Sequence, residues 1–395
     1  MLTYEQALEN LLAAAQPLSR TETLDPVDAL GRVLAAPVTS TINVPPADNS
    51  AMDGYAVRVA DLVAGHALPV SQRVPAGSSP QPLLPGTAAR IFTGAPIPAG
   101  AEAVVMQEKC VVDGDGVRIE HMPKAGENIR RLGEDIARDA CILPAGECLG
   151  AAHMGLLASV GVAQVEVFAR LRVAVFFTGD ELVMPGEPLA PGKIYNSNRA
   201  VLHGLLGSLG CEIHDLGIVP DKLDATRAAL REASADADLV LTCGGVSVGE
   251  EDHVKAAVQA EGALETWKIA IKPGKPFAFG RVGSTPFIGL PGNPVSSFVT
   301  FLMLARPYLR KRQGSNDYLP RVISSRADFS WPRPAHAREF LRVQRNPAGG
   351  LELFPKQGSG VLSSCVWADG LVDNPPEQAI QPGDIVRYIP FGGLL

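Results

Sequence analysis

The stretch from Leu239 to Asp252 (Leu-Val-Leu-Thr-Cys-Gly-Gly-Val-Ser-Val-Gly-Glu-Glu-Asp) constrains the chain most. A short apolar run stopped by glycine reads as a fully buried parallel strand. Gly244, Gly245 and Gly249, with Ser247 between them, allow positive φ and a close ligand approach. The acids Glu250, Glu251 and Asp252 suit the positive end of a following helix. The pattern is strand, glycine loop, helix start, and ligands of open α/β sheets bind where such loops leave the strands. Taken alone, it is also what an ordinary βα turn looks like.

Around this stretch the chain alternates. Arg172 to Phe177, Ile213 to Val219, Leu239 to Thr242, Thr266 to Ile271 and Pro286 to Leu290 read as strands. Ser197 to Leu209, Asp221 to Ala233 and Asn293 to Leu309 read as helices. The expected fold class is multidomain α/β plus β: a mostly parallel α/β sandwich over 171–318. Residues 1–42 with 141–170 form an expected helical linking domain, containing an amphipathic helix over 3–16 and helical patterning from Pro26 to Leu34 and from Leu149 to Leu157. Residues 43–140, short strands broken by Gly94, Pro96, Pro98 and Gly100, form an expected inserted β-rich domain. Residues 319–395 lose the helical pattern, which predicts a C-terminal β-barrel or sandwich.

The 395 residues carry 35 Lys plus Arg against 42 Asp plus Glu, a net charge of −7, which does not suit a nucleic-acid binder. The six cysteines, Cys110, Cys141, Cys148, Cys211, Cys243 and Cys365, lack zinc-site spacing. The histidines are scattered, and no P-loop, G-x-S-x-G elbow or G-x-G-x-x-G dinucleotide fingerprint occurs. The first ten residues have no apolar core for a signal peptide, and no uncharged window is long enough for a membrane span, so a cytoplasmic location is expected.

Candidate chemistry gathers at the strand ends. Thr178-Gly-Asp-Glu181 follows one strand, Pro220-Asp221 the next, Gly244 to Asp252 the third, and Leu290-Pro291-Gly292-Asn293-Pro294 a late one. Each segment alone can be a helix cap or a turn. Parallel strands would bring Glu181, Asp221 and Asp252 to one edge, where converging carboxylates call for a cation such as Mg²⁺. On a single strand Lys268 and Lys272 would share a face, and the Pro-Gly turn adds Lys275. Three ammonium groups there suit an oxyanion such as phosphate or molybdate, although a solvated strand face would look the same.

Seven segments occur in a telling order: Asp48-Asn-Ser-Ala-Met-Asp53-Gly-Tyr-Ala, Thr93-Gly-Ala-Pro-Ile-Pro, Gly133-Glu-Asp-Ile, Thr178-Gly-Asp-Glu-Leu, Gly244-Gly-Val-Ser-Val-Gly, Lys272-Pro-Gly-Lys-Pro and Leu290-Pro-Gly-Asn-Pro. With them the chain resembles the molybdopterin molybdenumtransferase family, which includes bacterial MoeA and the E domain of gephyrin. The resemblance runs from the first helix to Gln357-Gly-Ser-Gly360. It implies the last step of molybdenum cofactor synthesis: adenylylated molybdopterin binds, its phosphoanhydride is cleaved with Mg²⁺, molybdate enters the dithiolene and AMP leaves. It implies an elongated homodimer whose site lies between the α/β domain of one subunit and the β-rich insert of the other, and transient contact with the molybdopterin adenylyltransferase.

Position by position, the resemblance carries function to Asp53, Thr93, Glu181, Asp221, Asp252, Lys268, Lys272 and Lys275. Of these, Glu181, Asp221 and Asp252 are the expected metal ligands. Gly244, Gly245, Ser247, Gly249, Pro291, Gly292, Asn293, Pro294, Arg342 and Ser359 are expected to shape or contact the substrate site. Members often carry Asp in the segment that here reads Ile194-Tyr-Asn-Ser-Asn198; Asn196 lacks that charge. A scaffolding role and molybdopterin adenylylation are the rival readings, and the four-domain length and Lys272-Pro-Gly-Lys-Pro276 argue against the latter.

Overall fold

The computed structural model describes residues 1–245 and 253–394. Its central sheet contains β1 (Arg172–Thr178), β2 (Glu212–Val219), β3 (Leu239–Cys243), β4 (Gly262–Lys268), β5 (Pro276–Val282) and β6 (Thr285–Leu290), in the order β2-β1-β3-β6-β5-β4. The pairings among β2, β1, β3 and β6 are parallel, whereas β5 and β4 join antiparallel. The run Val173–Phe177 is fully buried because helices cover both faces of the sheet. Its side chains alternate accordingly. Val173, Val175 and Phe177 join one core cluster, and Ala174 and Phe176 join the other.

On the first face lie α1 (Tyr4–Ala14), α2 (Ser197–Ser208) and a helical rod made of α5 (Pro294–Thr300), a π-helical turn (Phe301–Ala305) and α6 (Arg306–Arg312). The second face holds α3 (Leu223–Asp236) and α4 (His253–Glu261). Thr3 caps α1 in a box with Gln6: each residue's side chain accepts from the other's backbone N–H, at 3.2 and 3.0 Å. Ala7 and Leu11 of α1 are fully buried in the same cluster as Leu302 and Tyr308. The first helix therefore packs on the α/β layer, far from its neighbours in sequence.

In the segment expected to be a helical linker, two-stranded antiparallel pairs carry much of the structure. Thr21–Leu24 pairs with Val165–Phe168, and Val38–Thr39 with Cys141–Leu143. The expected helix over Pro26 to Leu34 is only one 3-10 turn, Pro26–Ala29, which gives way at Gly31 with φ +74°. The helix Ala151–Ser159 is present. Between these pairs the chain makes a six-stranded sheet from Gly54–Val57, Ala67–Val74, Ala88–Ile91, Ala103–Met106, Cys110–Asp113 and Gly116–Ile119.

Residues near the C-terminus form another six-stranded sheet: Ile323–Arg326, Arg338–Arg345, Leu351–Leu353, Gly370–Asn374 and Ile385–Pro390, joined by Ile271–Lys272. Closure into the expected barrel is not among the pairings of the described residues. The last strand also corrects an expectation. Thr266 to Ile271 is not one strand, because β4 ends at Lys268 and Ile271–Lys272 pairs in parallel with Arg338 and Glu339 of the other sheet. Backbone partners explain the break. Leu2 N–H donates to Lys268 O at 3.0 Å, Ala270 N–H to Leu2 O at 2.8 Å, and Ile269 N–H to Lys275 O at 2.9 Å. Lys268 and Lys272 therefore do not share one strand face.

Candidate active site

Register brings the strand ends level. Thr178 stands opposite Val219, Phe177 opposite Cys243, and Cys243 opposite Leu290. From β1 the chain crosses to β2 on one side, then returns to β3 on the other. The reversal makes the carboxyl edge of β1 and β3 a topological switch point, where open α/β sheets bind ligands. A cavity of about 660 Å³ lies there. Its wall comes from the ends of all four parallel strands and the loops that follow them: Thr178, Gly179, Glu181 and Leu182 at β1, Asp221 after β2, Cys243 to Gly245 at β3, and Pro291 to Pro294 after β6. Asn196, Ser197 and Asn198 at the start of α2 add to it, as do Pro276 and Gly360.

The wall is tied together by short bonds. The Cys243 thiol donates to Pro291 O at 3.0 Å and lies 3.1 Å from Ser297 Oγ. Burial pushes this thiol up to about 12, so it serves as a neutral tie rather than a nucleophile. Asn198 Nδ2 donates to Gly292 O at 2.7 Å, and Gly244 N–H to Leu290 O at 3.1 Å. Gly244 and Gly245 have φ of +99° and +63°. A Cβ at Gly244 would stand 2.9 Å from Thr178 O, and one at Gly245 would stand 2.4 Å from Val254 Cγ2. Only glycine fits both positions without shifting the wall.

Four buried polar atoms on this wall have no hydrogen-bond partner among the described residues: Thr178 Oγ1, Asn196 Nδ2, Asn198 Oδ1 and Asp221 Oδ1. Such an atom costs about 1–3 kcal/mol when left unsatisfied. Four around one cavity mark it as built for a polar occupant. The set includes both acceptors and donors, and Glu181 adds a second carboxylate.

Of the residues singled out from sequence, Glu181, Asp221, Gly244, Gly245, Pro291, Gly292, Asn293 and Pro294 line the cavity. Ser247, Gly249 and Asp252, with Glu250 and Glu251, lie outside the described residues. The lysines separate. Lys275 is exposed and adjoins Pro276 of the wall. Lys272 Nζ pairs with Glu339 at 3.2 Å, a carboxylate that also accepts from Trp331 Nε1 at 2.7 Å. Lys268 lines a different hollow, with Met1, Leu2, Asn10, Glu265 and Trp267.

Among the described residues after 318, only Gly360, in a turn outside the C-terminal sheet, lines the cavity. Ser359 contributes its carbonyl, which accepts from Val295 N–H at 3.0 Å at the start of α5. Arg342 is 1% exposed, and burial pushes its guanidinium down to about 10. It donates to Phe340 O at 3.1 Å, Ser364 Oγ at 3.2 Å and Gly358 O at 3.5 Å. Its backbone N–H donates to Gln357 Oε1 at 2.9 Å, and Gln357 Nε2 donates back to Arg342 O at 3.0 Å. Arg342 thus holds the 357–360 turn against α5 instead of lining the cavity.

Asp53 and Thr93 meet each other in the β-rich sheet. Thr93 N–H and Oγ1 donate to Asp53 Oδ1 at 2.7 and 2.8 Å, and these bonds hold the carboxyl below its ordinary value. Neither residue lines the cavity of its own chain. Sequence reasoning did not single out Thr178, Cys243, Ser197, Asn198 or Gly360 as site residues, although each lay inside a segment already noted.

Comparison with known proteins settles the family. Residues 2–161 match the model of the MoeA N-terminal region (domain I and II), 174–311 that of a probable molybdopterin binding domain, and 324–391 that of the MoeA C-terminal region (domain IV). A molybdopterin molybdenumtransferase of Haemophilus influenzae is 41% identical, over 100% of both chains. The chain belongs to the molybdopterin molybdenumtransferase family. A molybdopterin molybdenumtransferase of Nostoc is 42% identical over 88% of this chain and 83% of its own. A crystal structure of a molybdopterin biosynthesis MoeA protein from Pyrococcus horikoshii OT3 superposes with a TM-score of 0.87 at 29% identity, covering 99% of this chain and 100% of that one. The protein is a transferase of molybdenum cofactor biosynthesis. The region matched to the probable molybdopterin binding domain contains every cavity residue except Gly360. No helix among the described residues is long and apolar enough to cross a membrane.

Proposed function

We propose that this cavity binds adenylylated molybdopterin and that the enzyme exchanges its adenylate for molybdate, releasing AMP as the dithiolene takes up the metal. The observation that carries this reading is the wall itself. Unpartnered donors and acceptors, two carboxylates and two helix starts surround about 660 Å³ at the switch point. Molybdate is substrate here, and Lys275, next to Pro276 of the wall, supplies positive charge for it, with Lys272, whose amine also pairs with Glu339, in the same proposed role. Lys268 joins this role only if its hollow communicates with the rim in the assembled enzyme.

Mg²⁺ is the cofactor this reading requires. Among the described residues no group of three or more His, Cys, Asp or Glu is arranged to hold a metal. Mg²⁺ nonetheless commonly uses one or two carboxylates and fills its shell with water and substrate phosphates. Asp221, with its unpartnered Oδ1, and Glu181 fit that pattern. Asp252 is the third proposed ligand by its place in the sequence. Bound there, the ion would withdraw charge from the anhydride phosphates. The residues of the chain orient the substrate: Gly244 and Gly245 admit it close to the backbone, and the Pro291–Pro294 turn fixes the floor.

The reading extends to the assembly. Because Asp53 and Thr93 form a ready-made polar pair away from their own chain's cavity, we place them at the cavity of a second copy in a homodimer. The chain then divides into four domains, 1–42 with 141–170, 43–140, 171–318 and 319–395, and works in the cytoplasm next to the adenylyltransferase that supplies its substrate. The test is direct. Purified protein is mixed with adenylylated molybdopterin, Mg²⁺ and molybdate, and AMP is followed by chromatography. Molybdate-dependent AMP release is expected; a protein that leaves the adenylylated pterin intact refutes the reading.

A further inference from the structure

We propose that a hollow around Arg306, beneath the strap Gly392–Leu394, is a binding site for a small tetrahedral oxyanion of the sulfate, phosphate or molybdate class. It stands apart from the switch-point cavity and does not depend on the reading of that cavity.

The hollow measures about 280 Å³ and lies between the start of α6 and the strap, with Asp317, Leu319 and Arg321 on its remaining wall. Pockets that take drug-sized ligands begin at roughly 300 Å³. This one suits a single oxyanion with a few waters of about 30 Å³ each. None of its residues lines the switch-point cavity.

Arg306 is the reason to expect an anion. It is 7% exposed. Its Nε donates to Leu394 O at 3.2 Å and its Nη2 to Gly393 O at 2.7 Å, whereas Nη1 is buried without a partner among the described residues. Carbonyls satisfy donors but do not neutralise a charge. Burial, with Arg310 nearby, pushes the guanidinium down to about 10, which still leaves it charged at neutral pH. Arg310, one turn along α6, has neutral partners, Gln313 Oε1 at 3.4 Å and Ser315 Oγ at 3.1 Å. Asp317, the one carboxylate among the described lining residues, is taken by Arg321 Nη2 at 3.2 Å. Arg306, Arg310 and Arg321 thus stand against one carboxylate, an excess of two positive charges. A buried cation left uncompensated is strongly destabilising, and a bound dianion would balance this excess.

The surroundings agree. Arg306 directly follows the π-helical turn Phe301–Ala305, a rare local form that recurs at functional sites. Gly392 and Gly393 have no Cβ to keep an ion from the strap backbone. The plainer alternative is that Arg306 only clamps the strap. That accounts for Nε and Nη2, but not for Nη1 or for the unbalanced charge.

The probe is sodium sulfate, titrated calorimetrically into the full-length protein at an ionic strength held constant with sodium chloride. The wild type should bind it saturably. Arg306→Gln keeps amide donors for the carbonyls without the charge, and should weaken binding at least about tenfold. Arg321→Gln should weaken it several-fold. Asp317→Asn, which removes the carboxylate from the wall, should tighten it several-fold. Arg321 and Asp317 are exposed, so these two variants should fold even if Arg306→Gln does not. Phosphate and molybdate are titrated in the same way, and the tightest of the three names the preferred ion. Opposite shifts in the Arg321 and Asp317 variants support the site. Failure of the wild type to bind any of the three ions, or affinities that ignore all the substitutions, overturns it and leaves Arg306 a clamp. Either result leaves the reading of the switch-point cavity standing.

Discussion

At the residue scale, the glycine pair after β3 is the most demanding part of the wall. Gly244→Ala places a methyl against Thr178 O with φ held near +99°, and Gly245→Ala drives one into Val254. Each should cost roughly 1–3 kcal/mol, read as a lower denaturant midpoint, and should weaken substrate binding as the wall shifts. These glycines were legible in sequence because a buried parallel strand that stops at Gly-Gly puts a loop open to close approach at the carboxyl edge of the sheet, although an ordinary βα turn reads the same way. Asp221 and Glu181 were legible by the same route, since parallel strands carry their following loops to one edge. Arg342 was misread. A cation in a segment that resembles a binding motif suggests an anion, but its donors serve Phe340 O, Ser364 Oγ and Gly358 O. Nothing local in the sequence distinguishes a buried arginine that holds a turn from one that holds a ligand. Arg342→Ala should destabilise the protein by about 2–4 kcal/mol in chemical denaturation, since it strips several buried carbonyl and hydroxyl partners at once.

At the scale of elements, helix and strand periodicity predicted β1, β2, β3, β6 and α2 to within a few residues of their observed ends. What periodicity could not show was a change of partner in mid-strand. Ile271–Lys272 leaves the central sheet because Leu2 and the strand Arg338–Arg345 take its neighbours' hydrogen bonds, and both partners are distant in sequence. The lysine face expected from alternation was lost for that reason. A second long-range tie is testable by pH. Asp238, next to β3, receives hydrogen bonds from Arg20 at 2.8 Å and from Arg172 N–H at 2.9 Å. Burial alone would raise its carboxyl, but these bonds outweigh it and hold the group at about 2. A depressed carboxylate contributes stability above its unfolded value near 4 and loses that contribution as pH falls towards its folded value. Asp238→Asn should therefore cost roughly 1–2 kcal/mol at neutral pH, and its stability gap from the wild type should narrow between about pH 4 and pH 2. A gap that stays constant with pH would show that packing, not ionisation, is what Asn disturbs.

At the scale of the whole molecule, the β-rich insert poses the question. Its Asp53–Thr93 pair is hydrogen-bonded and formed, yet it lies off the cavity of its own chain. One chain does not bring the pair to the cavity, which is why a role for it there rests on resemblance alone. A homodimer that joins one copy's insert to the other's cavity makes a quantitative prediction. Asp53→Asn and Asp221→Ala should each abolish AMP release by themselves. Co-expressed, they should form mixed dimers with one intact composite site, restoring about one quarter of wild-type activity under random pairing. No recovery in mixed dimers, confirmed by mass, would place both residues in the site of one chain.

The central claim is that the switch-point cavity, through Asp221, is where the adenylylated pterin is cleaved. Single-turnover AMP release, with enzyme in excess over adenylylated molybdopterin and with saturating molybdate and Mg²⁺, tests it most directly. Folded Asp221→Ala should release AMP at least about a hundredfold more slowly than the wild type, a loss of roughly 3 kcal/mol of transition-state stabilisation. Release at the wild-type rate by that variant would contradict the account.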